Sequence, residues 1–74
     1  MNRYNDWQGL LEMANEDLGK FGYSLLIVEP EEGFYNCEIH KDGELVETYA
    51  ENYYEDELSD LITDAWHDTK LKLV

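Results

Sequence analysis

The chain reads as an α+β domain of order α-β-β-β-α, with a three-stranded antiparallel sheet and two helices packed on one face. Three observations predict this. Apolar residues recur at helical spacing near both ends, alternating apolar and polar positions fill the middle, and Asp42-Gly43 separates two of the alternating runs. No linker, internal repeat or low-complexity stretch divides residues 1–74, so one domain is expected.

Trp7, Leu10, Leu11, Ala14 and Leu18 fall at offsets of 0, 3, 4, 7 and 11, a single apolar stripe that predicts a helix over residues 5–18. Asn5 with Gln8 resembles a capping box, and Gly19 and Gly22 supply the stop. Gly9 within the helix costs about 1 kcal/mol relative to Ala.

Residues 23–29 carry the run Leu25, Leu26, Ile27, Val28, apolar on both faces as in a strand covered on both sides or pressed into an interface. Pro30, Glu31, Glu32 and Gly33 form the expected turn. Strands over 34–41 and 44–50 flank Asp42-Gly43, and a two-residue loop puts Lys41 opposite Glu44. That register predicts Ile39 opposite Val46, Cys37 opposite Thr48 and Tyr35 opposite Ala50 on a core face. The other face takes Phe34, Asn36, Glu38, His40, Leu45, Glu47 and Tyr49, with Glu38 directly across from Glu47.

The last helix is expected over residues 53–69 or beyond, from Tyr54, Leu58, Leu61, Ile62, Ala65, Trp66 and Leu73 at helical spacing. Asn52 is the expected cap, with Glu55 in the reciprocal position. Lys70 and Lys72 suit a helix C-terminus, although residues 70–73 also alternate like a short edge strand.

Charge then bounds the function. Eighteen acidic residues against five basic ones give a net charge of −13. With 43% hydrophobic and 14% aromatic residues the chain is not a disordered acidic tail. So large a charge concerns partners, solubility and association rates rather than fold. The single Cys37 rules out an intrachain disulfide, and with only His40 and His67 beside it no zinc set is recognisable. The alternating acidic loop of a calcium site is missing too, so neither metal nor cofactor is expected. No stretch reaches membrane-spanning length and no signal peptide is recognisable, which predicts a cytoplasmic protein that an anionic membrane would repel.

An enzyme needs groups of different pKa gathered in a pocket, whereas this chain offers carboxylates and two histidines on separate elements. A non-enzymatic protein is therefore expected. His40 and His67 read as solvated imidazoles, and Cys37, alternating with Tyr35 and Ile39, as a buried small hydrophobe.

Asp56, Asp60, Asp64 and Asp68 stand four residues apart, a row of like charges that costs a helix a few tenths of a kcal/mol per pair, roughly. Acids in the first turn, Glu55, Asp56 and Glu57, are by contrast favourable to a helix. Six acids between positions 52 and 69 give roughly one charge per 4.5 Å of helix, against about 3.4 Å along one DNA strand. From Glu29 to Asp60 there are twelve acids and only Lys41. The pattern predicts a nucleic-acid mimic that binds a basic, nucleic-acid-binding protein and makes no direct contact with nucleic acid. The candidate contact set is Glu38, Glu47, Tyr49, Tyr53, Glu55, Asp56, Glu57, Asp60, Asp64 and Asp68, with Phe34 and Tyr54 as further aromatic anchors. Two plainer readings stand beside it: a solubilising surface, and a homodimer through the open sheet face that buries Leu25, Ile27, Leu45 and Tyr49.

In layout and acidity the chain resembles the small phage-encoded anti-CRISPR inhibitors of Cas9. That resemblance implies carboxylates facing the arginines that read PAM guanines, and it carries no motif from which a residue inherits a role. Residues 23–35 with the Glu-Pro-Glu-Glu-Gly turn, a third strand and the Glu57-Leu58 helix are similar to the antitoxin domain of HicB. This second resemblance implies an antitoxin or immunity protein neutralising a small basic toxin. The topology also resembles double-stranded RNA-binding domains, whose basic cluster is missing here.

Overall fold

The computed structural model describes residues 6–73. In chain order these are α1 (Asp6–Gly19), β1 (Tyr23–Glu31), β2 (Phe34–Lys41), β3 (Glu44–Tyr53), a single 3-10 turn (Glu55–Glu57) and α2 (Leu58–Leu71). The strands form one open antiparallel sheet in the order β1-β2-β3, so β1 and β3 are both edges. Both helices pack on one face of it, as the patterning predicts.

The stripe of α1 turns inward: Ala14 and Leu18 are fully buried, and Trp7, Leu10 and Leu11 pack around them. The expected Asn5 cap lies outside the described residues. Past the helix, Gly22 has φ +85, and a Cβ there would stand 2.7 Å from Asp42 Oδ1. The Asp42 N–H donates to the Gly22 carbonyl at 2.8 Å, so the α1–β1 link is tied to the β2–β3 hairpin where only glycine fits.

Strand β1 runs past the expected boundary at Glu29. Glu29 and Pro30 together oppose Tyr35, between the pairs Val28–Asn36 and Glu31–Phe34. A bulge accommodates Pro30, which has no N–H for the ladder, and the expected four-residue turn shortens to Glu32 and Gly33. The Gly33 N–H donates to the Glu29 carboxylate at 2.9 Å. Only one face of β1 is covered: Leu25 is 3% exposed and Leu26 is 50% exposed.

The β2–β3 hairpin corrects the expected register. Asp42 (φ 52) and Gly43 (φ 87) are both left-handed, and Lys41 pairs with Glu44 and His40 with Leu45. Val46 is then the extra residue of a bulge, and Ile39 pairs with Glu47, Glu38 with Thr48 and Cys37 with Tyr49. One inserted residue exchanges the two faces of the strand beyond it. Val46 and Thr48 are therefore exposed, and Tyr49 enters the core instead. A second irregularity brings Tyr35 opposite Tyr53 rather than Ala50.

The core comprises Ala14 and Leu18 of α1, Leu25, Cys37 and Ile39 of the sheet, and Leu58, Leu61, Ile62 and Ala65 of α2. Asn52 is not a helix cap, because β3 continues through it to Tyr53 and winding begins at Glu55. Tyr54 is the last extended residue, and its N–H donates to the Glu57 carboxylate at 2.9 Å. Its ring, expected on the buried stripe, is 55% exposed and packs on Phe34 at 5.2 Å between centroids. The chain stays helical through Lys70, and Leu73 packs against the core.

Candidate partner-binding surfaces

Asp60, Asp64 and Asp68 keep their spacing on α2, separated by about 6 Å of rise per step. Asp56 precedes them on the 3-10 turn. The row borders β3, because the Tyr53 hydroxyl donates to Asp64 Oδ2 at 2.9 Å and Lys72 pairs with Glu47. Asp56, Asp60 and Asp64 are exposed and Asp68 is half-buried. Glu55 is exposed and Glu57 is half-buried, its carboxylate turned back to the Tyr54 N–H.

The ten candidate residues do not make one surface. Glu47, Tyr49 and Tyr53 lie on the helix-covered side of β3, where the two rings, 6.4 Å apart, are half-buried against the core. Alternation along β2 puts Glu38 on the opposite, open side. The expected face-to-face pair Glu38–Glu47 is therefore absent, because the Val46 bulge turns Glu47 toward α2. Glu38 instead accepts from the His40 ring, with Oε1 3.1 Å from Nε2, when the proton is on that nitrogen, so His40 is not simply a solvated imidazole.

The homodimer set divides as well. Leu25 is buried in the core and Ile27 and Tyr49 pack against it, so of the four only Leu45 lies on the open face. Leu26 and Val46 are exposed in their place. Asn36, also on the open side by alternation, has a side-chain oxygen shut off from solvent with no hydrogen-bond donor among the described residues.

The lysines are largely engaged within the fold. Lys70 Nζ pairs with Asp17 Oδ2 at 2.9 Å, Lys72 pairs with Glu47, and Lys41 Nζ lies 5.4 Å from the centre of the Tyr23 ring. The same Asp17 oxygen accepts from Trp66 Nε1 at 2.8 Å. The hydrogen bond from Lys70, reinforced by that from Trp66, holds the Asp17 carboxyl below its ordinary pKa. Asp17, Trp66, His67 and Lys70 meet in a shallow depression on the outer α1–α2 groove, with Asp17 committed to joining the helices.

Cys37 has no exposed surface, and desolvation pushes its thiol up to about 12, the opposite of what a reactive thiolate needs. Among the described residues no three His, Cys, Asp or Glu side chains converge as a metal site, and no helix is long and apolar enough to cross a membrane.

Sequence reasoning missed Asn15. Its side chain accepts from the Leu25 N–H at 2.6 Å and donates to the Leu25 carbonyl at 3.2 Å. An Asn beside the apolar stripe, in a helix interior that disfavours it, was the available signal. Comparison of the chain with family models, with curated proteins and with solved structures gives no match.

Proposed function

We propose that this chain is a non-enzymatic acidic inhibitor that binds a basic nucleic-acid-binding protein in the manner of a DNA mimic. The observation that carries the reading is the uncompensated charge. Three of the four lysines at positions 6–73 are spent on Asp17, Glu47 and the Tyr23 ring, while Glu55, Asp56 and Asp60 are exposed without an ion-pair partner among the described residues. Such a surface attracts cationic partners at long range and gains from counterion release when it meets a groove built for phosphates. The Glu57 and Asp64 carboxylates are already held by Tyr54 and Tyr53, which reduces the entropy lost on docking. An inhibitor of an RNA-guided nuclease of the Cas9 type is one instance of this class.

The test is affinity capture from bacterial lysate at low and at moderate salt, with and without competing duplex DNA, the retained proteins being identified by mass spectrometry. A nucleic-acid-binding protein that survives moderate salt and is displaced by DNA supports the reading. Its loss in Asp56→Lys/Asp60→Lys, two exposed positions whose replacement leaves the core intact, assigns the contact to this end of α2. A small partner indifferent to DNA favours an antitoxin or immunity protein, and retention of nothing after the salt wash overturns both.

A further inference from the structure

We infer that the outer edge of β3 takes up an extended basic segment as a fourth strand, whose alternate Lys or Arg side chains meet Asp60, Asp64 and Asp68 of α2. The inference rests on the basic-partner reading and specifies how that partner is held.

The two edges of the sheet differ. On β1 the outward N–H and carbonyl of Leu25 are taken by the Asn15 side chain, and Pro30 in the bulge has no N–H to offer. Strand β3 pairs with β2 on one side, and no strand lies beyond it on the other. Alternate residues of such a strand turn their backbone N–H and carbonyl groups outward, the template on which another chain adds. Residues 44–48 are exposed along it.

Helix α2 runs beside this edge. The Tyr53 hydroxyl donates to Asp64 at the far end of β3 and Lys72 pairs with Glu47 nearer its start, so helix and strand lie antiparallel. Asp60, Asp64 and Asp68 then follow one another at about 6 Å of helical rise. An added strand lies about 5 Å beyond β3, and its alternate side chains, about 6.6 Å apart, share one face. Carboxylates and successive basic side chains thus come nearly into step, at a separation that a Lys or Arg stem spans. None of the three aspartates is in an ion pair among the described residues.

Charge also selects against a second copy. Two β3 edges paired antiparallel put both α2 rows on the same side of the joined sheet, acid against acid. The strand itself adds Glu44, Glu47 and Glu51 and no basic residue. An edge charged in this way disfavours self-pairing and favours a basic strand.

The probes are a peptide of about eight residues alternating lysine and threonine, and the same peptide N-methylated at every lysine or at every threonine. Each is titrated into the isotopically labelled full chain, with amide shifts and amide exchange followed by NMR. Expected are saturable shifts at residues 44–53 and 60–68 and slowed exchange at alternate amides of β3. Only one of the two methylated peptides should bind, because the N–H groups turned toward β3 all belong to one residue type of the alternation. Asp60→Asn/Asp64→Asn, at exposed positions where the amide oxygen still accepts from Tyr53, is expected to weaken binding by about three- to tenfold.

Shifts confined to residues 55–68, with both methylated peptides bound alike, overturn strand addition and leave the basic-partner reading standing, since charge alone then holds the peptide. Absence of saturable binding by any of the peptides at low salt overturns strand addition, and the basic-partner reading falls with it when capture from lysate also retains nothing. A concentration-dependent dimer in sedimentation equilibrium, whose formation slows exchange at the same β3 amides, assigns the edge to a second copy and likewise overturns the inference.

Discussion

The Asn15 side chain pairs with the backbone of Leu25 as a neighbouring strand would, accepting from its N–H at 2.6 Å and donating to its carbonyl at 3.2 Å. β1 is an edge strand, and edges invite pairing with other chains. An amide from α1 therefore blunts this edge and fixes the helix to the sheet at a residue that is 3% exposed. Asn15→Ala leaves a buried donor and acceptor unpaired and is expected to cost about 1–3 kcal/mol in urea unfolding. Asn15→Asp keeps the acceptor and loses the donor, so its stability should fall between the two. A cost near zero for Asn15→Ala would show that water replaces the amide without loss.

Gly22 supports a second prediction. Its φ of +85 is unfavourable to any side chain, and a Cβ would meet Asp42 Oδ1 at 2.7 Å. Gly22→Ala is expected to destabilise by about 1–3 kcal/mol. In Asp42→Gly the contact disappears while the backbone strain stays, so the Ala substitution should cost less in that background. A double-mutant cycle with no coupling would mean that the close approach relaxes freely.

The Asp17 junction makes stability depend on acid. A carboxyl whose folded pKa is depressed contributes fully above its unfolded value, near about 3.9, and loses that contribution as pH falls through the folded value. The gap in melting temperature between the wild type and Asp17→Ala should therefore be constant from about pH 7 to 5 and narrow below about pH 4. A gap unchanged down to about pH 2 would mean that Lys70 and Trp66 do not depress this carboxyl in solution.

Self-repulsion should make the fold respond to salt. The Debye length falls from about 30 Å at 0.01 M to about 8 Å at 0.15 M, below the 11.8 Å radius of gyration. Screening then acts across the whole molecule, whereas the exposed pairs Lys70–Asp17 and Lys72–Glu47 stand to lose little, about 0–1 kcal/mol each. The melting temperature is expected to rise over this range of sodium chloride, and a fall would place the ion pairs above the repulsion.

Helix positions, the three strands, the Asp42-Gly43 hairpin and most of the core follow from periodicity alone, because burying an apolar stripe or an alternate strand face is a local demand on spacing. Net charge is likewise a property of the sequence. The tertiary structure decided which groups meet. The bulge at Val46 moved Glu47 and Tyr49 to the helix side, and pairing of Tyr53 with Tyr35 delayed the last helix past Asn52. Asn15 found Leu25 and Asp17 found Lys70, the latter across 53 positions of chain. A one-residue slip reverses every following side chain of a strand, and a side chain in one helix reaches another element only once both are packed, so neither outcome is written in local spacing. The acidic row was legible as a pattern; its division from Glu38, and the aliphatic pair Leu26 and Leu45 left open on the other side, belong to the fold.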